Sequence, residues 1–68
     1  MTNTTLLKSF MVREGFTMET LAEKMELSRT SMSYKINNRV EFRSSEIKKM
    51  QNILNLTDEE RDSIFFAV

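Results

Sequence analysis

Apolar residues return every three or four positions along almost the whole chain, interrupted by residue types that start or stop helices. Leu6, Leu7, Phe10 and Met11 share one face of a helix predicted over residues 4–14. Gly15, the only glycine, follows where a left-handed residue would close that helix. The spacing resumes with Leu21, Ala22 and Met25, preceded by Thr17, whose hydroxyl can accept a first-turn N–H. Phe16 and Leu21 occupy the two positions of a hydrophobic staple around that cap. The same device recurs at Ser28, with Leu27 and Met32 as staple partners, and Met32 and Ile36 extend the apolar stripe. After a loop over residues 38–43, a fourth helix starts at Ser44 or Ser45, with Ile47, Met50, Ile53 and Leu54 inward. Asn55 can take the left-handed conformation that ends it, and Thr57 with Glu60 forms a capping box for a last helix over residues 58–66. The pattern predicts an all-α chain: one compact five-helix bundle without linkers, repeats or low-complexity segments.

Residues 17–37, TMETLAEKMELSRTSMSYKIN, combine two caps, two staples and a turn of about three residues. Each device occurs in any helical protein; the information lies in their combination at this spacing. It is the shape of a helix-turn-helix, whose second helix enters the DNA major groove. The stretch resembles the helix-turn-helix of small phage repressors and Cro proteins, within the wider xenobiotic-response-element-type, or lambda-repressor-like, family. The resemblance covers about residues 6–56. It implies a five-helix lambda-repressor-like bundle acting as a transcriptional regulator on double-stranded operator DNA. Two positions depart from the family. Met18 stands at the start of the second helix, where the family commonly has Gln on a phosphate, and Glu26 occupies the turn position that usually holds Gly. A non-glycine residue there costs about 1 kcal/mol if its backbone is left-handed.

Composition narrows the function further. Sixty-eight residues with no Pro, one Gly and 40% hydrophobic content suit a single helical core rather than a β fold. No cysteine excludes a disulfide framework, and no histidine removes the commonest general base and transition-metal ligand. With no Gly-rich loop or metal-spaced carboxylate cluster either, no catalytic residue, metal site, cofactor or small-molecule ligand is predicted, and an enzyme is the least supported class. No apolar run approaches the ~20 residues of a membrane span, and the polar N-terminus predicts no signal peptide. The expectation is a protein of the bacterial cytoplasm or of a phage-infected host, with no membrane partner.

Ten basic residues balance ten acidic ones, where a DNA binder ordinarily has a basic excess. The charges are segregated, however. Residues 29–49 hold six basic side chains against Glu41 and Glu46, whereas residues 57–68 hold four acidic ones against Arg61. A basic face can therefore meet phosphate while the acidic end points elsewhere.

On a helical wheel with Met32 and Ile36 inward, Thr30, Ser33, Tyr34 and Asn37 fall on the outward face, and Arg29 stands at the exposed start. These five are the candidate base contacts. Arg can bridge guanine O6 and N7, Asn matches adenine, and Ser or Thr can take either base or meet a thymine methyl. A merely solvated face is the alternative, but Ser, Thr and Asn are poor helix formers, and a structural surface would favour Glu, Lys or Ala. Lys35, Asn38, Arg39 and Arg43 are the candidate phosphate contacts, joined by Thr17 and Ser28 at the helix starts.

The C-terminal run IFFAV holds adjacent phenylalanines that point about 100° apart. One can seal the core; the other predicts a homodimer interface formed by Ile64, Phe65, Phe66 and Val68. The six methionines read as core fillers. The competing function is a protein-interaction module of the same fold that does not bind DNA, such as an anti-repressor or antitoxin component.

Overall fold

A computed structural model describes residues 1–66, and its helices follow the sequence pattern closely. They are α1 (Thr4–Arg13), α2 (Met18–Lys24), α3 (Arg29–Ile36), α4 (Ser44–Ile53) and α5 (Asp58–Phe65), with no strand among the described residues. Most starts have the expected chemical cause. Thr17 accepts from the Thr20 N–H, while the Thr20 hydroxyl takes the Thr17 N–H in return. Ser28 accepts from the Ser31 N–H, and Thr57 and Glu60 form their reciprocal box. The start of α4 differs. Neither Ser44 nor Ser45 caps it; the cap position is Arg43, which lacks a side-chain acceptor, and Glu46 reaches back to the Arg43 N–H instead.

Four helices end in the same way. Gly15, Glu26, Asn38 and Asn55 are left-handed, with φ of 77°, 58°, 64° and 52°. After each, the next N–H reaches a carbonyl five residues back: Phe16 to Met11, Leu27 to Ala22, Arg39 to Tyr34, Leu56 to Gln51. This closes orphan carbonyls and turns the chain sharply. Gly15 and Asn55 do this as expected, and Glu26 adopts the conformation expected to strain it.

The inward stripes meet in one core. Leu7, Leu21, Met32, Ile36, Met50 and Leu54 are fully buried, and Ala22 is buried where α2 packs on α3. Ile53, expected inward, is only partly covered. α4 and α1 both pack on α5. Arg13 of α1 donates to Glu60 (2.9 Å) and to the Leu54 carbonyl (3.1 Å), closing that side. The radius of gyration, 10.6 Å, is close to the ~11 Å of a compact chain of this length. No helix among the described residues is long and apolar enough to cross a membrane.

The C-terminal expectation needs correction. Ile64 and Phe65 are buried in the monomer core, where Phe65 meets Phe42 edge-on at 5.4 Å, so neither is available to a partner. α5 is acidic throughout its first turn and must supply its core contacts from its last turn, which uses both residues. Phe66 is 60% exposed. Val68 lies outside the described residues.

Candidate nucleic-acid interface

α3 sits across the surface with one face sealed and one free. Met32, Lys35 and Ile36 point inward; Arg29, Thr30, Tyr34 and Asn37 are exposed, and Ser33 is half-buried. Four of the five candidate base contacts thus lie exposed along one outward strip, with Ser33 half-buried beside them. Arg29 and Thr30 make no side-chain hydrogen bond or ion pair among the described residues, so their donors remain available. Asn37 is less free: its amide donates to the Ser33 carbonyl (2.9 Å). The Arg39 guanidinium lies 5.0 Å from the Tyr34 ring centroid, which holds that cation beside the end of α3.

The expected phosphate contacts divide. Arg39 and Arg43 are exposed with no ion pair among the described residues. Thr17 and Ser28 are exposed but serve as helix caps. Lys35 is a correction. It is only 8% exposed, and its Nζ donates to Glu46 Oε1 at 2.7 Å. An ammonium enclosed in this way is committed to a carboxylate. Asn38 is also otherwise engaged: its carboxamide accepts the Thr2 N–H (2.8 Å) and donates to the Thr2 carbonyl (2.9 Å).

Two features went unforeseen. One is an N-terminal strap. Besides the Thr2–Asn38 clasp, Asn3 N–H donates to the Ile64 carbonyl (2.7 Å) and the Thr4 hydroxyl to the Ile36 carbonyl. Residues 2–4 thereby join the ends of α3 and α5. The other is Glu46, whose single oxygen Oε1 receives both Lys35 Nζ and the Arg43 N–H, at 2.7 and 2.8 Å. Partial burial raises the Glu46 pKa, but the hydrogen bonds from Lys35 and Arg43 outweigh it and hold the carboxyl below its ordinary value. It is therefore ionised at neutral pH. A legible signal for Lys35 existed: on the wheel it lies about 60° from Met32, on the inward side.

Electrostatically, the ion pairs sharpen the segregation of charge. Lys49 pairs with Glu26 (3.1 Å) on the open surface, which offsets the negative charge at the turn. Once Lys35–Glu46 and Lys49–Glu26 are set aside, Arg29, Arg39, Arg43 and Lys48 remain against Glu41 in residues 29–49. The arrangement can present cations and neutral hydrogen-bonding groups to a polyanion.

No curated protein and no solved structure matches the chain. Residues 7–68 match the family described as "Protein of unknown function (DUF739)", and the match spans nearly the whole sequence, so the chain belongs to that family.

Proposed function

We propose that the chain is a sequence-specific DNA-binding transcriptional regulator, in which α2 and α3 act as a lambda-repressor-like helix-turn-helix and α3 enters the major groove of operator DNA. The observation that supports this reading best is the outward strip of α3. Arg29 and Thr30 stand exposed at its start, free of partners among the described residues, and Arg39 and Arg43 flank its end. Arg29, Thr30, Ser33, Tyr34 and Asn37 would read base edges, and Arg39 and Arg43 would sit on phosphates. The protein would repress as a phage or prophage Cro-like repressor does, by occupying its site. Phe66 would bring two copies together: it borders a groove of about 370 Å³ that Ile47, Lys48, Gln51 and Arg61 also line. Two half-sites about 34 Å apart would then be gripped at once.

Titration of the intact chain against random and genomic duplexes at two salt concentrations tests the reading. Binding should favour particular sequences and weaken with salt. Arg39→Gln or Arg43→Gln should each reduce the slope of log affinity against log salt by about one unit. The balanced net charge and the acidic first turn of α5 favour a protein-interaction module of the same fold. Absence of duplex binding at low salt would select that alternative.

A further inference from the structure

Glu46 has an unusual position for a residue outside the outward strip. Its carboxylate touches two parts of the proposed interface at once. Through Lys35 Nζ it holds the inward side of α3, one residue from Tyr34 and two from Ser33; through the Arg43 N–H it holds the end of the loop that carries Arg39 and Arg43. Both bonds converge on one oxygen, so the two segments cannot shift independently without losing one of them. The surroundings add constraint. Lys35 Nζ lies 6.0 Å from the Phe42 ring centroid, and Phe42 packs on buried Phe65. The charged groups facing Glu46 are Lys35 from α3 and Arg43 from the loop, both cations.

We propose that Glu46 is a positioning residue for DNA recognition, fixing the rotation of α3 relative to the phosphate-binding loop through Lys35 and the Arg43 backbone. The proposal rests on the DNA reading above. It assigns Lys35 a different role from a phosphate contact. Specific binding requires base and phosphate contacts to be made in one register, whereas non-specific binding tolerates a loose register. Losing the lock should therefore reduce the affinity for a preferred site more than the affinity for random duplex.

The substitution Glu46→Gln keeps the side-chain shape and an oxygen for the Arg43 N–H but removes the charge opposite Lys35. The ratio of preferred-site to random-duplex affinity should fall by about tenfold, the size of a coupling between contacting residues. Lys35→Met should do the same and leave the salt slope unaltered. Lys35→Arg, which keeps a cation opposite Glu46, should restore most of the preference, and Lys35→Gln should not. The Arg43 amide resonance, recorded without DNA, should move in Glu46→Gln and in Lys35→Met but stay near its parent position in Lys35→Arg.

The double variant Lys35→Met with Glu46→Leu guards against a loss of folding, because an apolar pair of similar volume can replace a buried ion pair without unfolding the chain. It should fold and still show the reduced preference. Full preference in that folded variant overturns the proposal, since packing alone would then set the register. A salt slope reduced by about one unit in Lys35→Met also overturns it, because Lys35 would be on a phosphate. A parent chain that binds no duplex overturns the DNA reading and this proposal together. A parent that binds with preference while Glu46→Gln binds identically overturns this proposal alone.

Discussion

At the start of α3, the Arg29 and Thr30 side chains are exposed and bonded to nothing among the described residues; two turns later, Lys35 is enclosed against Glu46, Asn38 clasps Thr2, and the Ile36 carbonyl receives the Thr4 hydroxyl. Both ends are polar in sequence. One end spends its polar groups on the fold and the other leaves them over. Net charge or helix polarity alone would treat the two alike. What separates them is whether a partner on another element lies within reach. A polar group without such a partner, on a helix otherwise anchored by Met32 and Ile36, is the kind that binding can use.

The contrast breaks most visibly in stability. Ile36→Ala removes a fully buried side chain at the locked end and should cost about 2–5 kcal/mol in urea unfolding, with the spread set by how far the site collapses. Arg29→Ala at the free end should change stability by less than about 0.5 kcal/mol. A large loss of stability at Arg29 would mean that it has a folding role the geometry does not reveal.

Binding should reverse that order of importance. Arg29→Ala should weaken preferred-site binding by about 1–3 kcal/mol and relax the preference at one base pair. An equal loss on every sequence, seen in competition titrations, would move Arg29 from the base-reading group to the phosphate group. Unchanged affinity would remove it from the interface altogether.

How much of this was legible follows the same division between local and distant partners. Thr17, Ser28, Thr57, Gly15 and Asn55 act through backbone groups within one turn, so their roles can be read from spacing. The α4 cap could not be read in that way. Ser44 and Ser45 are good cap types, but Glu46 displaces them, because it can serve Arg43 and Lys35 with one oxygen. The Lys35–Glu46 pair spans eleven positions and the Asn38–Thr2 clasp thirty-six, distances that no helical period encodes. The adjacency of Phe65 and Phe66, about 100° apart on a helix, suggests that only one seals the core and that the rest of the run, Ile64 included, meets a partner. The core claims both Ile64 and Phe65 because α5 offers it little else. On α3, Arg29, Thr30, Tyr34 and Asn37 are exposed because Met32 and Ile36 fix the phase of the helix, whereas Ser33 is half-buried and Asn37 is tied to it.

The smallest expected effect concerns the turn that sets α3 against α2. Gly15 and Glu26 occupy equivalent positions at the ends of α1 and α2, with φ of 77° and 58°. Nothing lies within 4 Å of the place where a Cβ on Gly15 would stand, so Gly15→Ala isolates the backbone cost, about 1 kcal/mol of destabilisation. Glu26→Gly should relieve a similar strain. Against that stand the greater freedom of glycine in the unfolded chain and the loss of the exposed Lys49 pair, which contributes less than about 0.5 kcal/mol. The net change should be a stabilisation of no more than about 0.5 kcal/mol, read from the urea midpoint at unchanged slope. Removing a carboxylate from the turn should also raise affinity for duplex DNA at low salt, and the gain should fade as salt screens it. Destabilisation beyond about 1 kcal/mol would show that the Glu26 side chain, through Lys49, holds α4 against the turn. In that case the free end of α3 would depend on a charged partner after all, and the contrast between its two ends would narrow.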